Sequence, residues 1–240
     1  TSQVVSGQRT ELTYFTISGT TITIKASTPV GVYKVKVKAV DDGSAVEKEA
    51  EMTITVRYPK LTLNGNDGTV TQGVVYTKYG TANEYTAETG STAGVIGATR
   101  TGYTLSGWYT AASGGTKVLD VSGNGTGTAV SGYTNASKNW VMTADKTLYA
   151  QWTINTYTVT YNSNKPSVAT GSISGTTTDS SHTYNEAKNL TANGYSLAGW
   201  TFAGWNTKAD GTGTSYTDGQ SVSNLTSTNG GTVTLYAKWT

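Results

Sequence analysis

The chain holds a single histidine, His182, and no cysteine among its 240 residues. Metal sites built on His and Cys are therefore excluded by count. His182 sits in the polar string TDSSHTY, and its surroundings decide what it could catalyse. An acyl-transfer triad would need the imidazole beside an activated nucleophile and an acid. There is no G-x-S-x-G elbow to supply the nucleophile, so the residue reads as a solvated loop histidine. The 15 acidic residues are scattered, and no pair stands out as the two positioned carboxylates of a glycosidase. NGNDGT at 64–69 has the oxygen-rich look of a calcium loop. It lacks the spaced carboxylates and distal glutamate, and it reads as a turn. Four N-x-S/T sequons, at Asn124, Asn135, Asn189 and Asn224, arise by chance in so threonine-rich a chain. No catalytic residue, metal site or cofactor is expected.

Aromatic side chains could still stack on sugars or anchor a protein contact. Of the six tryptophans, Trp108, Trp152, Trp205 and Trp239 fall inside strings that occur twice, and Trp200 stands where the other copy has Tyr103. That marks them as structural. Trp140, in TNASKNWVM, has no counterpart. It is the candidate ligand contact, with Tyr133 beside it.

The elements that must carry these residues are short strands. Glycine is abundant at 29, prolines number three and only 13 % of residues are charged. Ser, Thr, Gly and Tyr favour strands joined by tight turns, and no long stretch has helical apolar spacing. The expected class is mainly β. Net charge is +2 without a basic cluster, which argues against a nucleic-acid partner. No apolar run is long enough to span a membrane. No charged-then-apolar leader opens the chain, so a secreted form would be a piece of something longer.

Three landmarks recur in order. KLTLNGN at 60–66 matches TVTYNSN at 158–164, GYTLSGWYT at 102–110 matches GWTFAGWNT at 199–207, and LYAQWT at 148–153 matches LYAKWT at 235–240. Ordered self-similarity defines a duplicated module, with bounds 60–153 and 154–240. In the closing string, Leu148, Ala150 and Trp152 share one strand face, as do Leu235, Ala237 and Trp239. Glycine directly before Trp108 and Trp205 accepts a bulge or a close backbone approach. Superposed, the copies should bring Trp108 onto Trp205 and Trp152 onto Trp239, all of them core. The first copy carries an insertion at about 121–141, and the second a GYSLAGW lead-in at 194–200. Insertions in repeats map to loops, often on the binding face, which is the case for Trp140.

The order of strand, G-[YW]-T-[LF]-x-G-W, glycine-rich turn and L-Y-A-x-W-T resembles the Listeria–Bacteroides repeat, the B-repeat of internalin-type surface proteins. The resemblance implies small β-rich modules, β-grasp- or immunoglobulin-like, in tandem on a bacterial cell surface. There they act as a non-enzymatic stalk between an adhesive head and a wall anchor.

Residues 1–58 lack the repeat strings and read as part of an immunoglobulin- or cadherin-like sandwich. In GVYKVKVKAVDDGSAVEKEAEMTITVRYP a turn on Asp42-Gly43 would pair Lys34 with Glu51, Lys36 with Glu49 and Lys38 with Glu47. Tyr33, Val35, Val37 and Ala39 would face inward with Met52, Ile54 and Val56, and Lys48 would sit opposite Val37. With only four or five strands, this sheet is expected to leave an edge open to self-association. The partners expected of the fragment are a glycan or host protein, or another copy through that edge.

Overall fold

The computed structural model describes residues 2–5, 15–18, 21–25, 28–40, 47–86 and 96–240. The protein is mainly β, and none of the described residues is helical. Among them no helix is long and apolar enough to cross a membrane.

Each repeat is built on one mixed sheet. In the first repeat the strands lie in the order Lys117–Leu119, Tyr103–Tyr109, Lys146–Ile154, Lys60–Asn64, Val74–Thr77 and Tyr85–Thr86. In the second the order is Ser180–Thr183, Thr156–Asn162, Gly231–Trp239, Phe202–Asn206 and Ser215–Tyr216. The opening and closing strands of a repeat are parallel neighbours at its centre, with Leu63 opposite Leu148 and Val159 opposite Val233. A parallel pair needs a long crossover, so nearly every residue of a repeat lies between the two strands that define it.

Alternation decides what faces the core. Leu61 and Leu63, Tyr157, Val159 and Tyr161, Leu148 and Ala150, and Leu235 and Ala237 are all buried. Trp108 and Trp205 are both 0 % exposed, while Trp152 and Trp239 are partly buried at the edges of the two cores.

The Gly-Trp strands confirm the duplication residue by residue. In the first repeat Leu105 pairs with Trp152, Gly107 with Gln151 and Trp108 with Ala150, and the register skips Ser106. In the second, Phe202 pairs with Trp239, Gly204 with Lys238 and Trp205 with Ala237, and the register skips Ala203. The bulge turns two successive side chains to one side. The glycine that follows has φ of 137° at Gly107 and 113° at Gly204. A Cβ there would stand 2.7 Å from the Leu119 carbonyl oxygen or 2.6 Å from that of Tyr216. Glycine is required by both backbone conformation and space.

The GYSLAGW string is not an addition to the second repeat. Tyr195–Leu197 pairs with Ile173–Gly175 just as Ala98–Thr99 pairs with Thr69–Val70. The string is therefore the counterpart of GATRTGY, with chemistry changed at most positions between its conserved glycines.

Before the repeats, Ser2–Val5, Gly31–Val40 and Glu47–Val56 form an antiparallel sheet, and Phe15–Ser18 pairs with Thr21–Ile24. The long hairpin differs from the expected register by two residues. Lys34 lies opposite Thr53, Lys36 opposite Glu51, Lys38 opposite Glu49 and Val40 opposite Glu47. A shift of two keeps the alternation of the two strands in step. Lys34 reaches Glu51 diagonally at 3.2 Å. Lys48 falls opposite Ala39 rather than Val37. Asp42 and Gly43, the expected turn, lie outside the described residues. Val35 is buried, whereas Met52 is 43 % exposed.

Candidate functional site at the repeat junction

The residues singled out for chemistry do not come together. Trp140 is 1 % exposed and packs edge-on to Tyr85 at 5.6 Å within the first core. Its backbone N–H donates to the Thr81 carbonyl and its own carbonyl accepts from Gly80 N–H. The insertion is thus a wall of the core, not a loop above it, and Val130 and Met142 are buried with Trp140. Trp140 offers no face to a ligand. Tyr133 is partly buried against the same core, its hydroxyl donating to the Thr147 carbonyl and Lys146 Nζ lying 5.3 Å from its ring.

His182 is not a solvated loop residue. It lies in Ser180–Thr183, 1 % exposed, stacked on Tyr157 with ring centroids 5.3 Å apart. Its Nε2 is 2.9 Å from Ser180 Oγ, and Nδ1 has no protein partner. The alternation of the strand, not the polarity of its neighbours, sets its environment. Burial, with Lys188 nearby adding to it, holds its pKa below the ordinary histidine value. The folded state therefore disfavours a proton that the unfolded chain accepts at about pH 6.5. Stability is unaffected above that pH and falls as pH drops through it. The expected result is a thermal midpoint of the second repeat that declines between about pH 7 and pH 5. A His182→Phe variant, which keeps the stacked ring, should lose most of that slope. An equal slope in both proteins would show that His182 does not titrate as its burial requires.

Among the described residues no group of three or more His, Cys, Asp or Glu is placed to hold a metal.

What the structure does assemble is a joint. Asn155, 6 % exposed, follows the closing strand of the first repeat directly. Its backbone N–H donates to the Gly102 carbonyl at 2.9 Å, and its Oδ1 accepts from Thr104 Oγ1 at 2.7 Å. Both partners belong to the first repeat. Its Nδ2 donates to the Ser227 carbonyl at 2.7 Å, and its own carbonyl accepts from Tyr184 N–H at 2.9 Å. Both of these belong to the second. One buried asparagine therefore satisfies its donors and acceptors by bridging the two modules. Around it Tyr184 covers Gly102, where a Cβ would come within 2.0 Å of the ring. Tyr103 meets Tyr184 edge-on at 6.3 Å, and its hydroxyl accepts from Asn185 Nδ2 at 3.3 Å.

A polar cleft of about 710 Å³ opens beside the joint, lined by residues of both repeats including Asp67, Thr99, Arg100 and Ser227. Arg100 closes one wall, its guanidinium 4.0 Å above the Tyr103 ring and 3.4 Å from Asp67 Oδ2.

The junction ahead of the first repeat is built differently. Arg57 holds Asp145 through two hydrogen bonds of 2.8 and 2.7 Å, and Lys60 N–H adds a third at 2.9 Å. The Arg57 hydrogen bonds, with that from Lys60, pull the Asp145 pKa down to about 2.

The module frame has a second recurrent device that the landmark strings contained but did not reveal. Asn66 and Asn164 both adopt left-handed backbone, φ 47° and 43°. Asn66 Nδ2 donates to the Ala112 and Ala150 carbonyls; Asn164 Nδ2 donates to those of Ala209 and Ala237. The closing-strand tryptophans complete the turn. Trp152 Nε1 donates to the Gly65 and Asn66 carbonyls, and Trp239 Nε1 to that of Ser163. The signal was the shared N-x-N at the end of each opening strand.

Comparison with known proteins agrees with this frame. The Listeria-Bacteroides repeat domain matches residues 60–151 and again 157–238. A protein of Evansella cellulosilytica described as a Gly-rich membrane protein is 36 % identical over 142 residues, 58 % of this chain and 14 % of that protein. Internalin H of Listeria monocytogenes is 31 % identical over 152 residues, 59 % of this chain and 20 % of that protein. The chain thus spans a fifth or less of the length of these relatives. No solved structure matches. Two copies of one domain, matched in sequence and alike in register, bulge and turn, place the chain in the Listeria-Bacteroides repeat family.

Proposed function

We propose that this chain is a non-catalytic spacer of a bacterial cell-surface protein, holding a binding region away from the cell. The observation that carries the reading is the Asn155 joint. Two modules of one fold follow each other without a flexible linker, and a single buried residue is bonded to both. A spacer needs fixed module-to-module geometry, because reach is lost when neighbours swing freely. The relatives support a surface setting: one is described as a membrane protein and the other is an internalin. The immunoglobulin-like reading of residues 1–58 fits the same setting.

The test is an Asn155→Ala variant carrying one dye on each repeat. Its two lost side-chain hydrogen bonds are worth about 1–3 kcal/mol together. Single-molecule energy transfer should give one narrow distance distribution for the native chain and a broadened one for the variant. A broad distribution in the native chain would defeat the spacer reading.

A second reading rests on Glu47–Val56, which among the described residues is paired on one side only. Its open edge would accept a strand from another copy. Light scattering across a range of concentrations decides: a constant monomer mass removes this reading.

A further inference from the structure

The cleft beside the joint carries chemistry that the repeat frame does not require. Its volume of about 710 Å³ is in the range of small-molecule sites, which form preferentially where domains meet. One wall comes from the first repeat through Asp67, Arg100 and Tyr103, the other from the second through Tyr184, Asn185 and Ser227. Among the described residues that line it, only Asp67 and Arg100 are charged, so the lining is neutral as a whole. The second repeat has Lys165 where the first has Asp67, and Leu197 where the first has Arg100. The fold therefore forms without either member of the pair.

The pair is held side by side without being joined. The Arg100 side chain is only 26 % exposed, and its guanidinium lies 4.0 Å above the Tyr103 ring, which fixes its plane. Its approach to Asp67 Oδ2 is 3.4 Å, longer than the roughly 2.7–2.9 Å of a charge-assisted hydrogen bond. Among the described residues no hydrogen bond joins this guanidinium to the protein. Its donors must then be satisfied from the cleft, by water or by a ligand. Asp67 sits in left-handed backbone, φ 69°, in the turn that Gly68 N–H closes on the Gly65 carbonyl, and its carboxylate is 78 % exposed. A mostly buried donor group and an open acceptor group thus face one space.

We propose that this cleft binds a neutral hexopyranose unit of a glycan, gripping two adjacent ring hydroxyls between Asp67 and Arg100. A hydroxyl both donates and accepts, whereas a carboxylate only accepts and a guanidinium only donates. Side by side, the two charges complete both halves of a diol. An ionic ligand is disfavoured, because an anion would meet Asp67 and a cation would meet Arg100. The hydroxyls of Thr99 and Ser227 extend the polar lining, and the Tyr103 and Tyr184 rings give it apolar surface. The site rests on the fixed joint of the spacer reading, because each repeat supplies one wall, and it adds a ligand to a spacer.

The experiment is an NMR titration of the whole chain with the methyl pyranosides of glucose, galactose and mannose, which between them present both cis and trans adjacent hydroxyls. A ligand this small binds in the millimolar range. At least one should give saturable shifts at the amides of Asp67, Arg100 and Tyr184. Arg100→Leu, which installs the residue of the second repeat, should keep the native amide dispersion and weaken binding about tenfold or more, the effect of losing hydrogen bonds to a charged group. Asp67→Asn tolerates the left-handed backbone and gives an independent reading with the same expected loss. No saturable shift with any of the three sugars, or equal affinity in both variants, would overturn the proposal. So would binding of glucuronate in their place, which would make the cleft an anion site. Residual dipolar couplings of the unliganded chain separate this from the spacer reading. No binding with one alignment tensor for both repeats removes the site and leaves the spacer, whereas two unequal tensors remove both.

Discussion

A Trp205→Ala chain is expected to lose its second repeat and keep its first. Trp205 is fully buried and sits at the centre of an aromatic cluster, 4.8 Å from Tyr161, 4.9 Å from Phe202 and 6.3 Å from Tyr195 by ring centroid. Truncating such a residue costs about 3–5 kcal/mol. Small domains have total stabilities near the lower end of about 5–15 kcal/mol, so the loss removes most of what holds the repeat folded. The first repeat has its own core, centred on Trp108 and Trp140, and shares no residue with the cluster around Trp205. Heteronuclear NMR should show the resonances of 156–240 collapsing to unfolded positions. Those of 60–150 should stay dispersed, apart from the residues at the joint. Collapse of both repeats together would mean that the cores are one cooperative unit. Survival of both would mean that the indole is not the keystone its burial indicates.

The second large effect concerns the N-x-N turns. Asn164→Ala should destabilise the second repeat by about 2–4 kcal/mol, because it leaves the buried Ala237 carbonyl and the Ala209 carbonyl without donors. The left-handed backbone adds a smaller cost for alanine. Asn164→Gly separates the two contributions. Glycine accepts the φ of 43° freely and still lacks both donors, so it should recover only the backbone part. Asn66→Ala should act likewise on the first repeat through the Ala112 and Ala150 carbonyls. Urea denaturation of the four proteins measures the differences. A glycine variant as stable as the native chain would show that the side-chain hydrogen bonds contribute little.

Much of this frame was legible in the sequence, for reasons that can be named. The recurring strings pointed to the closing strands, to one face shared by Leu148 and Ala150 and another by Leu235 and Ala237, and to the bulge glycines, because each depends on local alternation or a local backbone need. The task of the insertion is hidden in the sequence because a segment without a counterpart carries no recurring string to mark it as core. Trp140 is buried in the core of its own repeat. The burial of His182 is equally hidden, because a polar string conceals the alternation that turns it inward toward Tyr157. The hairpin register was two residues off: charge pairing repeats every two residues and fits Lys36 opposite Glu49 as well as Lys36 opposite Glu51. The joint was invisible, since Asn155 in TINT looks like any linker asparagine. Its importance arises only when Gly102 and Thr104 from one module and Tyr184 and Ser227 from the next converge on it.

A spacer of this design needs Asn155 to hold the two repeats at one fixed angle. Residual dipolar couplings measure this directly in a weakly aligning medium. If Asn155 bridges the modules as described, couplings from 60–150 and from 156–240 should fit a single alignment tensor of one magnitude and orientation, and Asn155→Ala should split it into two of unequal magnitude. Two unequal tensors in the native chain would contradict the claim.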